Sequence, residues 1–228
     1  TLMYAPPVPF IAPSLHGTPV VAIMVCYAGD VEEGQRVVAP LRQLGTPMAD
    51  VIGPMPYPAM FAMTEAGTIR GLQHHDRSMF LERLDDDAIG TIVAQTATAT
   101  SPMAMAQIRI LGGAMSRVAS DATAFVHRDK PVMFTIINSW PDPADSERER
   151  AWTQEFWRAM RPYASGVYVN FLEDEGEERI RQAYSPATYA RLVALKNRYD
   201  PTNVFRLNQN IVPTTMPAQQ GEHAERAA

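Results

Sequence analysis

Cysteine is nearly missing from this sequence: Cys26 stands alone among 228 residues. That excludes an internal disulfide and a cysteine-based zinc cluster. Cys26 sits in the apolar run Val20 to Tyr27 and reads as a buried structural thiol. Apolar runs near the roughly 20 residues that cross a bilayer are missing too, and no signal-peptide pattern occurs. The expectation is a cytoplasmic protein with no membrane partner. Charge of either sign is modest. A net charge of -5 gives no electrostatic reason to expect nucleic acid. No phosphate-cradling glycine pattern is present: Gly112-Gly113 lacks the spacing and the following helix, and reads as a tight turn or a close backbone contact. No G-x-S-x-G elbow supports serine hydrolase chemistry.

What is there is ordinary globular composition, 46% hydrophobic and 20% charged, with length for a sizeable core. Thr1 to Ala5 reads as a strand already in progress, which leads us to expect a fragment of a longer protein. Thr18 to Ala28 is rich in β-branched residues and reads as a buried strand. Asp30 can cap a helix with Glu33 as its partner, the apolar face being Val37, Val38, Leu41 and Leu44. Met48 to Tyr57 predicts a short strand, followed by a helical turn through Met60 and Met63. Thr68 to Met79 predicts an exposed strand, and Asp85 to Thr96 a capped helix with Ile89, Ile92 and Val93 facing in.

Further strands are expected at Gln107 to Leu111, Thr123 to Val126, Pro131 to Trp140 and Gly166 to Phe171. Ser146 to Met160 predicts a long helix with Trp152, Phe156 and Met160 on one face and an acidic first turn. Glu175 to Tyr184 reads as a charged helix, and residues 214–228 as a disordered tail. The pattern is α+β, a largely antiparallel sheet flanked by helices.

The last ordered stretch, YSPATYARLVALKNRYDPTNVFRLNQNI, runs from Tyr184 to Ile211. Tyr189, Leu192, Val193, Leu195 and Tyr199 recur at helical spacing, and Asp200-Pro201 stops the helix. Asn208, Gln209 and Asn210 then offer donors and acceptors to a polar heterocycle or to neighbouring backbone. This stretch resembles the C-terminal signature of the berberine-bridge-enzyme-like FAD-linked oxidases, a branch of the vanillyl-alcohol-oxidase superfamily. LGGAMSRVASDATAFVHRDK resembles the family's glycine pair and Pro-His-Arg element, with Val126 in place of the proline.

The resemblance implies a substrate-binding domain over 1–183 and a signature segment over 184–213 that returns to an FAD domain. That domain, in cis or in trans, would be the partner, FAD the cofactor and a small organic compound the substrate. The implied activity is hydride transfer from that compound to flavin. Asn208, Gln209 and Asn210 would contact FAD, and Met133, Asn170 and Phe171 would line the substrate pocket. The family's proton-abstracting base positions fall on Phe171 and Met133, both apolar, which leaves Tyr168 and Tyr184 as catalytic candidates. Strand alternation would point Tyr168 and Asn170 away from Phe171. Tyr184 could instead staple the helix to the sheet.

His74-His75-Asp76 does not read as a metal site, because adjacent strand residues diverge. His127-Arg128 reads as structural, with Arg128 paired to a carboxylate. A non-catalytic binding module that kept the fold after losing flavin is the alternative to the oxidoreductase.

Overall fold

A computed structural model describes residues 1–65 and 69–214. Among the described residues seven strands and six α-helices follow one another in short runs, joined by loops and 3-10 turns. Strands β1 (Leu2–Tyr4), β2 (Pro19–Val21), β4 (Arg77–Leu81), β5 (Met105–Ile110) and β6 (Val132–Ile137) form one sheet in the order β2-β1-β5-β6-β4. β1 is antiparallel to both neighbours, with Leu2 opposite Val21 and Ala106. A second pair, β3 (Gln73–His74) and β7 (Ser139–Trp140), is also antiparallel. The fold is mixed α+β with a mostly antiparallel sheet.

The chain divides into two compact units. One comprises Thr1–His75, Ile89–Gln107 and Ile136–Arg158; the other comprises Asp76–Ala88, Ile108–Thr135 and the chain from Ala159 onward.

In the first unit, helix α1 (Val31–Val38) starts where Asp30 accepts a 2.9 Å bond from the Glu33 amide. It passes into a 3-10 turn at Ala39, before Pro40, so Val38 is buried while Val37 and Leu44 stay exposed. Helix α4 (Ser146–Met160) matches its sequence pattern, with Trp152 and Phe156 buried edge to face at 5.6 Å. Each such side chain contributes about 1.5–3 kcal/mol by burial. The Trp152 indole N–H donates to Thr98 Oγ1 (3.1 Å), beyond helix α3 (Asp86–Thr96). A buried polar set lines the other side of α4. Asn138 Nδ2 donates to Glu149 Oε2 and to Thr153 Oγ1, and Thr100 Oγ1 donates to Glu149 Oε1. His75 is held between Arg150 (3.1 Å) and Gln154 (3.2 Å), whereas His74 bonds Ser139 Oγ at 2.8 Å. The two imidazoles therefore serve different partners.

In the second unit the buried side chains come from β4 (Met79, Phe80, Leu81), from β6 (Val132, Met133, Phe134), and from Val167, Leu172, Ile180 and Ala183. Helix α5 (Glu177–Gln182) supplies Ile180; helix α6 (Pro186–Tyr199) is capped by Ser185, whose Oγ accepts from the Thr188 amide. Asp200 ends α6 and folds the chain over it, accepting from the amides of Val204 (2.7 Å) and Phe205 (3.1 Å).

Several expectations are corrected. Cys26 is exposed, and the run around it is strand only over Pro19–Val21, with Ile23 and Met24 more than half exposed. Its hydrophobicity encodes burial that these residues do not find within their own unit. Met48 to Tyr57 has no strand; Pro54, Pro56 and Pro58 withhold ladder donors, and a 3-10 turn at Tyr57–Phe61 leads into α2 (Ala62–Glu65). Of the exposed strand expected over Thr68 to Met79, Thr68 lies outside the described residues, Gln73–His74 forms β3 with His74 exposed, and from Arg77 the chain is β4, buried throughout rather than exposed. On α3 the inward residues are Ala88, Ile92 and Thr96; Ile89 and Val93 face out, one step around the helix. Thr123 to Val126 is loop, and Glu175 to Tyr184 is helical only over Glu177–Gln182. The expected tail falls, from residue 215 on, outside the described residues. Among the described residues no helix is long and apolar enough to cross a membrane.

Candidate active site

Gly166 to Phe171 is not a strand. The chain forms a bridge at Ala164 opposite Leu81, then loops, and Val169–Phe171 closes a 3-10 turn. In such a turn residues three apart eclipse each other. Tyr168 and Phe171 therefore lie together, ring centroids 5.5 Å apart, instead of on opposite faces. Asn170 Nδ2 donates to the Tyr168 hydroxyl at 2.8 Å, so the three side chains form one cluster. Phe125 adds a third ring, edge-on to Tyr168 at 5.6 Å and to Phe80 at 6.1 Å.

The turn is fixed from below. Ser78 Oγ donates to the Phe171 carbonyl (3.3 Å), and the Asp76 amide to Glu173 Oε1 (2.8 Å). Arg77, 9% exposed in its side chain, pairs with Glu173 at 2.9 Å and with Glu175 at 4.0 Å; Arg179 meets Glu175 at 3.0 Å. Behind it, the His127 ring packs on Phe80 with centroids 4.8 Å apart. Gly166 is obligatory beside it: φ is +143°, and a Cβ there would come 2.4 Å from the imidazole. Burial pushes the His127 pKa down, against the upward pull of its bond to the Gln182 carbonyl.

The terminal segment returns to this turn through one amide. Gln209 Nε2 donates to the Leu172 carbonyl at 2.6 Å. Gln209 is thereby committed to backbone. Asn208, with φ +58°, is exposed, and Asn210 Oδ1 is buried with no hydrogen-bond donor beside it.

Met133 is buried on β6, on the same side of the strand as Thr135 by alternation. Thr135 Oγ1 accepts from Arg109 of β5 at 3.1 Å, and the Arg109 guanidinium lies 4.9 Å from the centre of the Phe171 ring. Sequence reasoning missed Arg109. The signal was present, because Gln107 and Arg109 alternate with the apolar Ala106, Ile108 and Ile110.

Tyr184 belongs elsewhere in this unit. It packs on the buried Val167, Leu172, Ile180 and Ala183, and burial raises its phenol pKa. It also lines an open cleft of about 620 Å³ with His127, Arg128, Lys130, Ser165 and Ser185. Arg128, expected to pair with a carboxylate, instead donates to the Met115 carbonyl and to Thr123 Oγ1, over the Phe125 ring.

Residues 167–212 match the protein-family model described as "Berberine and berberine like". An FAD-linked oxidoreductase of Dictyostelium discoideum is 28% identical over 195 residues, covering 85% of this chain and 42% of the relative. YvdP, an uncharacterized FAD-linked oxidoreductase of Bacillus subtilis (strain 168), is 39% identical over 104 residues, which is 45% of this chain and 23% of that protein. In fold, a berberine bridge enzyme variant described as a reticuline dehydrogenase superposes with a TM-score of 0.65 at 22% identity, over 79% of this chain and 44% of the other. BBE-like #28 of Arabidopsis thaliana gives 0.62 at 20% identity, over 82% and 46%. The chain spans less than half the length of each of these relatives. Matched in sequence at its signature segment and in fold over most of its length, the chain resembles part of a berberine-bridge-enzyme-like FAD-linked oxidoreductase.

Proposed function

We propose that this chain is the substrate-side part of an FAD-dependent oxidoreductase, in which a small organic substrate sits over the Tyr168–Phe171 turn. The observation that carries the reading is the Gln209–Leu172 bond. It joins the amide-rich end of the family segment to the aromatic turn, which supports reading the two as the neighbouring cofactor and substrate sides.

Asn208 and Asn210 fit the polar edge of a flavin: one amide is exposed and the other has a buried carbonyl oxygen in want of a donor. FAD, held mainly by a domain supplied in cis or in trans, would accept the hydride. The chain's own residues orient the substrate. Phe171 and Tyr168 offer ring faces, Met133 an apolar floor, and Asn170 fixes the Tyr168 hydroxyl. Among the described residues Tyr168 is the phenol whose ring meets Phe171, and it becomes the residue best placed to exchange a proton with substrate. A positioned general base contributes about 10²- to 10⁴-fold, so Tyr168→Phe in the FAD-loaded protein is expected to lower kcat by about that factor with KM little changed. Equal loss from Tyr184→Phe with none from Tyr168→Phe would reverse the assignment.

The apolar side chains at Phe171 and Met133 favour a second reading, a non-catalytic binding module. The gene separates the two: an upstream in-frame stretch encoding a glycine-rich flavin domain supports the enzyme, and an adjoining stop codon with a ribosome site supports the module.

A further inference from the structure

We infer that Arg109 is the specificity determinant of the Phe171 face, and that the compound bound there carries a carboxylate. The inference rests on the reading of that face as the substrate side, and it names the class of substrate.

Several arginines of the second unit have an acidic partner: Arg77 pairs with Glu173 and Glu175, Arg179 with Glu175, and Arg181 with Glu177, whereas Arg128 and Arg191 are held by backbone carbonyls. Arg109 has no acidic partner among the described residues. It is half-buried on a sheet strand, lies over an aromatic ring and makes one side-chain hydrogen bond, to a threonine hydroxyl. A guanidinium carries five N–H donors in a rigid planar fork. One is used by Thr135, and the cation has lost part of its hydration to the Phe171 face. Burial lowers its pKa in keeping with that.

A carboxylate is the group whose two oxygens match the fork, and such charge-assisted pairs are the stronger hydrogen bonds. The surroundings are flat and aromatic: Phe171, Tyr168 and Phe125. An arene or conjugated carboxylate would stack on the rings while its oxygens meet Arg109. The net charge of -5 makes diffuse attraction of anions by the whole chain a poor explanation for such a preference.

The test is equilibrium binding of benzoate against benzamide, its neutral counterpart of the same shape, by titration calorimetry at physiological salt. Charged hydrogen bonds of this kind correspond to roughly a 10- to 100-fold preference for benzoate. Arg109→Gln is expected to bring the ratio near one. Arg109→Lys keeps the charge without the fork and should retain part of the preference, which guards against loss of fold in the first variant. Circular dichroism verifies the fold of each. A ratio near one in the unaltered protein, or an unchanged ratio in Arg109→Gln, overturns the inference. If Arg109 were only a staple for Phe171, the variants would lower stability without moving the ratio. Flavin uptake, measured by absorbance on the same samples with FAD domain present, reads the substrate-side assignment separately: the benzoate ratio and the flavin band fail independently.

Discussion

Replacing Arg77 with methionine tests what holds the aromatic turn in place. Arg77 is the cation on which Glu173 and Glu175 converge, and Arg179 also serves Glu175. Methionine fills much of the same volume but leaves two carboxylates facing one arginine. Removing one partner of a buried ion pair costs about 3–5 kcal/mol. The Glu173 side chain is 33% exposed, which lets water take up part of its charge. The lower end, about 3 kcal/mol, is therefore expected.

For a chain of this length each kcal/mol moves Tm by roughly 2–4 °C, so calorimetry should show a fall of about 6–12 °C. Glu173→Gln in the Arg77→Met background should recover part of this, with a coupling of about 1–3 kcal/mol in the double-mutant cycle. A fall below about 2 °C, or strictly additive effects, would refute the view that this network carries the turn.

Gly166→Ala should destabilise by more than about 1–3 kcal/mol, since φ is +143° and the new methyl meets the His127 ring at 2.4 Å; urea midpoints measure it. His127 gives a pH test. Its folded pKa lies below the ordinary value, so the unfolded state takes up a proton first as pH falls below about 6.5, and stability drops until the folded pKa is passed. His127→Gln should flatten that limb in urea titrations between neutral and mildly acidic pH. Phe171→Tyr in the FAD-loaded protein restores a phenol at an apolar base position and should raise kcat by up to about 10²-fold; no rise would place proton transfer elsewhere. Gln209→Ala should weaken the tie to Leu172 and speed proteolysis of the terminal loop, while leaving the core exchange-protected.

Elements with strong periodicity and clear caps were legible in the sequence. Helix α4 and the Asp30 cap follow from spacing alone. The strand readings at Thr18 to Ala28 and Gly166 to Phe171 failed for different reasons. In the first, β-branched apolar residues announce burial that these residues do not find within their own unit, so Ile23 and Met24 stand exposed. In the second, the sequence alternates like a strand, but a 3-10 turn prevails, with Ser78 Oγ donating to the Phe171 carbonyl, and it reverses which side chains meet. The candidate site was half legible. Tyr168, Asn170 and Phe171 were visible through their family resemblance, whereas Arg109 becomes significant only when β5 is laid beside Thr135 and Phe171. Such pairings depend on register, which local pattern does not encode.

The most direct measurement is the visible absorption spectrum, with the mass, of the protein that carries this chain in its native source. The account predicts flavin absorption bands and a mass above 25.2 kDa, because the flavin domain travels with the chain or binds it. A colourless protein of 25.2 kDa that stays colourless when FAD and a flavin domain are supplied would contradict it.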